Sequence, residues 1–588
     1  MSIRRWHEPL SCPGRPRVPR GNDDDRPYRT GSMRLSDAAR EDASGPAMTA
    51  ALRVARFRLI WTASVLSNLG LIIQGVGAAW AMTEETGDAT LVAMVQSATM
   101  LPMLLFTLPA GAMADMYPRR IVALFALTVS LAGVSTLFGL SLAQATTPPA
   151  LLALSFVAGC GMAFFWPAWQ SSASDDVPAE LLPAAVGLNS LSYNAARVVG
   201  PAVGGLIVAM GGTVIAFGIS VLLYLPMVGA QLRPAPRREI PRLPPERIGR
   251  ALISGIRYVL HSPAILSIVI RAFILGALGG SAHTLMPLIS RDLLASGANV
   301  FGILLGTFGA GAVLGVFMAP TLRNRYGADG SASRCIVALG ISLAVVGTSR
   351  SVPLTAVALL VAGSVWMCVT QACNVSLQML VPRWVAGRAV ACFQASLSGG
   401  IALAGVGWGM VAGHFGVGHA FLASGILVAL SIVVGRVWPL PEIESTYVVP
   451  GESLPNPQVL LPISGRSGPI LVEIEYRVPP AEARAFYRMI QDVQLCLKRN
   501  GAYGTSIARD LGDPEVWMER YHFPTWHDYL RQRDRMTAAE RTLQDALLAF
   551  HAGDRPVRAR RFLERPFGSV RWDEDSADHR TPETLPIG

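Results

Sequence analysis

Acidic side chains are missing where this chain is most apolar. No Asp or Glu falls inside any long hydrophobic run between residues 59 and 438, and charged residues make up only 15% of the whole. A soluble globular chain carries about 25%. Lysine is nearly absent: Lys498 is the single one among 588 residues, which reads as genome base composition rather than chemistry. The seven cysteines show no C-x-x-C spacing, and Cys160, Cys335, Cys368, Cys373 and Cys392 lie in or near apolar runs. They read as small apolar residues, which argues against a disulfide framework or a metal centre. No G-x-x-x-x-G-K-[ST] loop is present, which argues against a built-in ATPase. No catalytic constellation, metal site or cofactor is expected, so the chain does not read as an enzyme.

What is present is apolar length. The chain is 51% hydrophobic, with a mean hydropathy of +0.40. Runs of about 20 apolar residues, enough to cross a hydrocarbon core as a helix, recur along it. Twelve candidate spans begin near Leu59, Leu91, Ile121, Leu151, Pro183, Val214, Ala264, Val300, Ser333, Leu354, Ala389 and His419. An even number puts both termini on one side. Arg53, Arg56 and Arg58 precede the first span, Arg119 and Arg120 follow the second, seven arginines fill the central loop, and Arg323, Arg325, Arg334, Arg383 and Arg388 mark later loops. The alternate loops carry little beyond Arg291 and Arg350. The positive-inside rule then makes both termini cytoplasmic in a multi-pass protein of the bacterial inner (plasma) membrane. The net charge of +10 is topology, and the expected partners are the lipid bilayer and a small-molecule substrate, not nucleic acid.

The two halves of the apolar region repeat at a fixed offset of 204 residues. Gly111 maps onto Gly315, Arg119 onto Arg323, Val177-Pro178-Ala179 onto Val381-Pro382-Arg383, and Ala216-Phe217 onto Ala420-Phe421. Two related membrane halves in one chain signal a rocking secondary transporter and disfavour a channel. The expected organisation is a disordered cytoplasmic tail at 1–47, a six-helix half at 48–232, and a linker with an amphipathic helix at 233–262. A second six-helix half at 263–440, a Pro-rich linker at 441–468, a soluble α+β domain at 469–565 and a polar tail at 566–588 follow. The soluble part reads strand, helix, strand, strand, helix, strand, the ferredoxin-like order. Its Trp517, Tyr521, His522, Trp526, His527 and His551 are candidates to line a pocket.

Between the second and third spans stands Gly111-Ala-Met-Ala-Asp115-Met-Tyr-Pro-Arg119-Arg120. This resembles the G-x-x-x-D-x-x-G-R-R/K loop of the major facilitator superfamily, with Pro118 in place of the usual Gly. The resemblance implies the superfamily fold, an all-α polytopic protein with twelve transmembrane helices in two pseudo-symmetric six-helix halves. It also implies a conformational latch of Gly111, Asp115, Arg119 and Arg120. Gly111 would allow close helix approach, Asp115 would sit at a helix N-terminus, and the arginines would pair with surface acids. The second copy has Ala319 where the acid belongs, so the latch is one-sided. Gly200-Pro201-Ala-Val-Gly204-Gly205 in the fifth span resembles the G-P-x-x-G-G element of exporters in that superfamily, a hinge about which halves rock.

Superfamily architecture puts the first and tenth spans on the central cavity, so the resemblance implies a substrate cavity with Asn68 and Gln74 on the first span and Gln371 and Asn374 on the tenth. Trp166 and Trp169 on the fourth and Arg197 on the fifth are further candidates. Charge and amides at membrane depth face cavities or glue helices together. Arg197 favours an anionic or electron-rich substrate. Arg271 is expected to snorkel to the cytoplasmic surface, and His283 is the one titratable candidate for a proton relay within a span. Coupling to the proton gradient is a family expectation only.

Trp80-Ala-Met-Thr-Glu84, Leu108-Pro109-Ala-Gly111 and, in the soluble domain, Asn500-Gly501-Ala502 and Arg509-Asp-Leu-Gly-Asp-Pro514 together resemble the bacterial branch labelled transmembrane secretion effector, which includes enterobactin exporters. The soluble domain is also similar to the small barrels of antibiotic-biosynthesis monooxygenases, which implies homodimerisation through it. The expected function is export of a small amphipathic metabolite, siderophore or drug-like compound by alternating access. The alternatives are an importer of a small solute and a membrane-tethered enzyme or sensor acting through the soluble domain.

Overall fold

A computed structural model of the chain describes residues 50–177, 181–233, 248–382, 384–440, 457 and 459–564. The tails expected at 1–47 and 566–588 and the Pro-rich stretches 234–247 and 441–456 lie outside the described residues. So do the side chains of Asp115, Tyr193 and Arg197.

A chain in hydrocarbon must satisfy its own backbone N–H and C=O groups, so the apolar runs become helices. They are α1 (Ala55–Glu85), α2 (Ala89–Met116), α3 (Arg119–Leu142), α4 (Pro148–Asp176) and α5 (Leu182–Leu232) in the first half. An interfacial helix α6 (Ile248–Leu260) leads to α7 (Pro263–Gly279), α8 (Ala298–Thr348), α9 (Val352–Leu380), α10 (Ala386–Phe415) and α11 (Val417–Leu430). Among the described residues nine helices are long and apolar enough to cross a membrane, or ten when α6 and α7, bent by 95°, are taken together. The expected twelve are recovered because α5 and α8 each run for 51 residues, more than two bilayers' worth. Each breaks at a glycine in the left-handed region, Gly212 (φ 72°) and Gly327 (φ 73°). In α5 the break makes a hairpin. A Cβ at Gly200 would lie 2.8 Å from Ile72 of α1, and one at Gly70 of α1 would lie 3.0 Å from Leu223, so both arms pack on the same stretch of α1.

The repeat is visible in three dimensions. Gly212 ends the fifth span, and Gly416, at the same 204-residue offset, ends the eleventh with φ 88°. Ala216, Phe217, Ala420 and Phe421 are all fully buried. Only residues that tolerate positive φ fit such corners without strain, which is why glycine stands at both.

Arg271 departs from expectation. It does not snorkel: it is buried in α7, where its Nη1 donates to Asp329 Oδ1 at 2.7 Å. The same carboxylate oxygen accepts the Leu440 N–H at 3.0 Å, tying the exit from the last span to the first turn after Gly327. A charge at membrane depth is costly alone and tolerable in a pair, so pairing replaces snorkelling. Substituting either member leaves the other uncompensated. Arg271→Ala or Asp329→Ala is expected to lower stability by about 2–3 kcal/mol, below the usual 3–5 because Asp329 is a third exposed. Thermal unfolding of the purified protein in detergent checks this, and Arg271→Met/Asp329→Leu together should cost less than either single change.

The soluble part follows the expected order, with its second helix split in two. It comprises β1 (Ile470–Arg477), α12 (Ala483–Arg499), β2 (Tyr503–Arg509), β3 (Val516–Phe523), α13 (Trp526–Arg535), α14 (Ala538–Leu548) and β4 (Arg558–Leu563). The strands form one sheet in the order β2-β3-β1-β4, with every neighbouring pair antiparallel. Alternation decides the faces. Ile470, Val472 and Tyr476 of β1 and Tyr521 and Phe523 of β3 meet Phe486, Ile490, Val493 and Leu497 of α12. The aromatic and histidine candidates of this domain therefore do not converge. Trp517 and Tyr521 lie on the helix side, His522 stacks on Tyr503 on the other face, and His551 accepts the Arg477 N–H at its Nδ1.

Glu519 is the anomaly of this core. It is 1% exposed, accepts the Tyr476 hydroxyl at 3.0 Å, and has no partner for its second oxygen. Burial pushes its carboxyl up from 4.5 to about 7, against a smaller opposing pull from the Tyr476 hydrogen bond. A raised folded-state value means the folded domain holds its proton longer than the unfolded chain. That stability is fully present below pH 4.5 and is lost as pH rises through about 7. Hydrogen-exchange protection of β3 in the full-length protein should fall by about 3 kcal/mol between pH 5 and pH 8, and Glu519→Gln should flatten the dependence.

Candidate functional site: the seam between the halves

Alternating access needs two halves that touch at one end and part at the other. The helix breaks define two ends of the bundle. One carries the Thr86–Asp88 turn between α1 and α2, together with Gly416. The other carries α6, Gly327 and the exit at Leu440.

At the Thr86–Asp88 end the halves are in contact along three lines. Gly205 of α5 crosses Gly302 of α8 so closely that a Cβ on Gly205 would lie 2.1 Å from the Gly302 Cα. Trp80 of α1 stacks on Phe301 of α8, with ring centroids 5.7 Å apart, and its Nε1–H is held by Glu84 at 2.7 Å. Ser97 of α2 donates to Ala402 O of α10 at 2.7 Å, and a Cβ at Gly409 would lie 2.9 Å from the Thr90 Cα. Helices gain little by hydrophobic attraction inside lipid, so backbone-to-backbone approach at small residues is what holds such a seam.

The expected hinge falls on this seam. Gly200 and Gly204 seat α5 against α1, with a Cβ at Gly204 landing 3.3 Å from the Ile73 Cα, while Gly205 seats α5 against the opposite half. Pro201 lies inside the same helix. One short element thus touches both halves.

The expected latch is arranged differently from its sequence reading. Among the described residues a Cβ at Gly111 would have no neighbour within 4 Å, whereas one at its repeat partner Gly315 would lie 2.2 Å from Ser364 O. Close approach is therefore a property of the second copy in this conformation. Arg120 meets no surface acid in the described contacts. Its Nη2 donates to Leu232 O at 2.6 Å and its Nε to Gln231 O, both at the C-terminus of α5, where the helix dipole favours a cation. Arg119 is half-buried.

The expected cavity residues divide. Asn68 donates to Ser192 at 3.3 Å, and Ser192 meets Ser64 at 3.0 Å, so this amide joins α1 to α5 within one half. Gln74 is buried, with its Oε1 unpartnered. Trp166 and Trp169 pack on each other at 5.3 Å on α4. On α9 the Gln378 amide donates to Asn374 at 3.1 Å, and Gln371 is half-buried one turn away. His283 lies in the broken continuation of α7, edge-on to Phe308 and Trp366 at 5.1 and 4.8 Å.

Sequence reasoning missed what closes over α6. Arg257 of α6 donates to Gly501 O of the soluble domain at 3.3 Å, and Arg499 lies 5.4 Å from the centroid of the Tyr258 ring. Arg535 lies 4.0 Å from the centroid of Trp384, in the turn between α9 and α10, and Trp384 stands edge-on to Tyr258. Glu540 holds Arg499 in place and also accepts the Asn500 amide at 3.1 Å. The soluble domain is therefore clamped by cation–π contacts to the linker helix and to the second half.

Two six-span halves meeting at one end of a seam define a secondary transporter of the alternating-access class. The chain belongs to the family described as transmembrane secretion effectors, major facilitator superfamily transporters, whose model matches residues 47–567. It is 25% identical over 348 residues to the multidrug efflux pump Tap of Mycolicibacterium fortuitum, covering 56% of this chain and 83% of Tap. It is 26% identical over 277 residues to the enterobactin exporter EntS of Shigella boydii, covering 46% of this chain and 64% of EntS. Among solved structures, an inward-facing bacterial homologue of the lysosomal transporter Spinster aligns with TM-score 0.51 and 15% identity, over 65% of this chain and 97% of that one. A bacterial homologue of ferroportin aligns with TM-score 0.50 and 16% identity, over 66% and 98%. These last two likenesses show the fold alone.

The Gly205–Gly302 crossing yields a direct test. Gly205→Ala puts a methyl group where backbone stands and should cost about 1–3 kcal/mol of closure at this end. Reactivity of a cysteine introduced at Thr90 toward a membrane-impermeant maleimide should then rise about tenfold, while unchanged reactivity would show that the crossing does not hold the seam.

Proposed function

We propose that this transporter exports a small amphipathic metabolite, siderophore or drug-like compound from a bacterial cytoplasm, with coupling to the proton gradient. The observation that carries the reading is the position of Gly200-Pro201 and Gly204-Gly205. The element that resembles the exporter motif is the place where the two halves touch. The efflux functions named for Tap and EntS support the same direction. The arginine-rich loops lie at the α6 end, which supports a cytoplasmic placement of that end and of both termini in the inner membrane. The closed seam then faces away from the cytoplasm. Gln74, with its unpaired buried oxygen, is the first residue of the expected cavity set to examine for substrate contact, because an orphaned acceptor seeks a donor.

The soluble domain is anchored to α6 and Trp384, so it travels with the second half. We assign it a sensing or pairing role. Its open sheet face carries Leu471, Tyr503 and Phe562 among charged neighbours, which supports pairing of two such domains. Removal of residues 457–588 separates the readings: export should persist, and its loss would favour an enzyme or obligatory sensor in the tail.

The export reading is tested by comparative mass spectrometry of cell pellet and medium from a deletion strain and its complement in iron-poor growth. A compound should accumulate inside, fall outside, and return to its original distribution on complementation. Accumulation outside instead would establish import.

A further inference from the structure

Sequence alone counts Arg291, with Arg350, as an exception to the arginine distribution, but the structure gives it a position of consequence. After Gly279 the seventh span loses its regular winding. It continues as Ser281–Thr284, Met286–Leu288 and a π turn at Ile289–Leu293. Such interruptions mark places where a helix bends. Arg291 projects from the π turn across the seam to the opposite half. Its Nη1 donates to Thr83 O at 3.4 Å and Thr86 O at 3.1 Å, and its Nη2 lies 3.5 Å from Gly87 O. These are the last carbonyls of α1 and its turn, groups that a helix leaves without internal partners and that carry its negative dipole end. Asp292 holds the guanidinium by both oxygens, Nε–Oδ1 at 2.6 Å and Nη2–Oδ2 at 3.2 Å, and so fixes its direction.

From this geometry we infer that Arg291 is the clasp of the gate at the Thr86–Asp88 end, a positioning residue that sets the balance between the two transport conformations. The glycine crossing and the Trp80–Phe301 stack are short-range contacts that vanish with small separations. Arg291 supplies a cation on a long arm against several carbonyls at once. The loose winding of Ile289–Leu293 allows it to let go without unpacking α7. Opening at this end releases the carbonyls to water, which solvates them, so the clasp is reversible. The inference holds for either direction of transport, and a failure of the export assignment would leave it standing.

The test uses the full-length protein in lipid nanodiscs. Nitroxide labels go on cysteines placed at Ala143 and Ser351, exposed positions at this end of the first and second halves, with native cysteines replaced. Electron–electron distance distributions are compared across variants. Arg291→Ala should move the ratio of long to short distances about tenfold toward long, the scale of one charged hydrogen bond. Arg291→Lys should retain most of the short population, and Asp292→Asn should give an intermediate shift. Arg291→Gln serves where the alanine variant does not fold. A merely structural role would lower thermal stability without moving the distribution. Unchanged distributions in both Arg291→Ala and Arg291→Gln would overturn the inference.

Discussion

Lipid is the constraint on which the rest of this architecture depends. Two apolar helices in a bilayer gain nothing by leaving water, because neither is in it. Contact between the halves must therefore come from close packing and from hydrogen bonds. At Gly205 and Gly302 the absence of two side chains brings backbones together, and Gly405 and Gly409 do the same for α10 against α2. A seam built this way is tight but shallow. It yields to a small rotation, as a rocking transporter requires, whereas a seam of interlocked large side chains would not.

The second consequence concerns charge. Three arginines of the membrane part act on helix ends and joints: Arg120 on the end of α5, Arg291 on the end of α1, and Arg271 on the acid just after the Gly327 break. At such places free carbonyls or a carboxylate give a cation the partner that offsets its desolvation. Charge is thus spent on terminations and joints rather than on the helix walls. The soluble domain uses the same economy. Arg257, Arg499 and Arg535 fasten it through a carbonyl and two aromatic faces.

Much of the fold was legible in the sequence because its signals are periodic. Apolar length gave the spans. The fixed offset paired Ala216-Phe217 with Ala420-Phe421, which are buried alike, and the Gly212 corner has its counterpart at Gly416. Two-residue alternation gave the strands of the soluble part, and β1 and β3 begin and end within a residue or two of expectation. What was not legible depends on partners brought from far along the chain. Arg271 looked like a snorkelling residue because Asp329 lies 58 positions away. Gly111 looked like a contact glycine, but the contact belongs to Gly315 in this conformation. Arg291 stood only as an exception to the loop-charge pattern because its acceptors are carbonyls, which no composition reveals. Asn68 looked like a cavity residue and is bonded within its own half.

The central claim is that two rigid halves rock against each other, parting at the Gly205–Gly302 end when the opposite end closes. The most direct measurement places one label pair at Ala143 and Ser351 and a second at Tyr117 and Asn324, on opposite ends of the bundle, and records both distance distributions under the same conditions. Rocking predicts anticorrelated populations, with one end long whenever the other is short. Two ends that lengthen together, or that never change, would contradict it and point to a channel or a static scaffold.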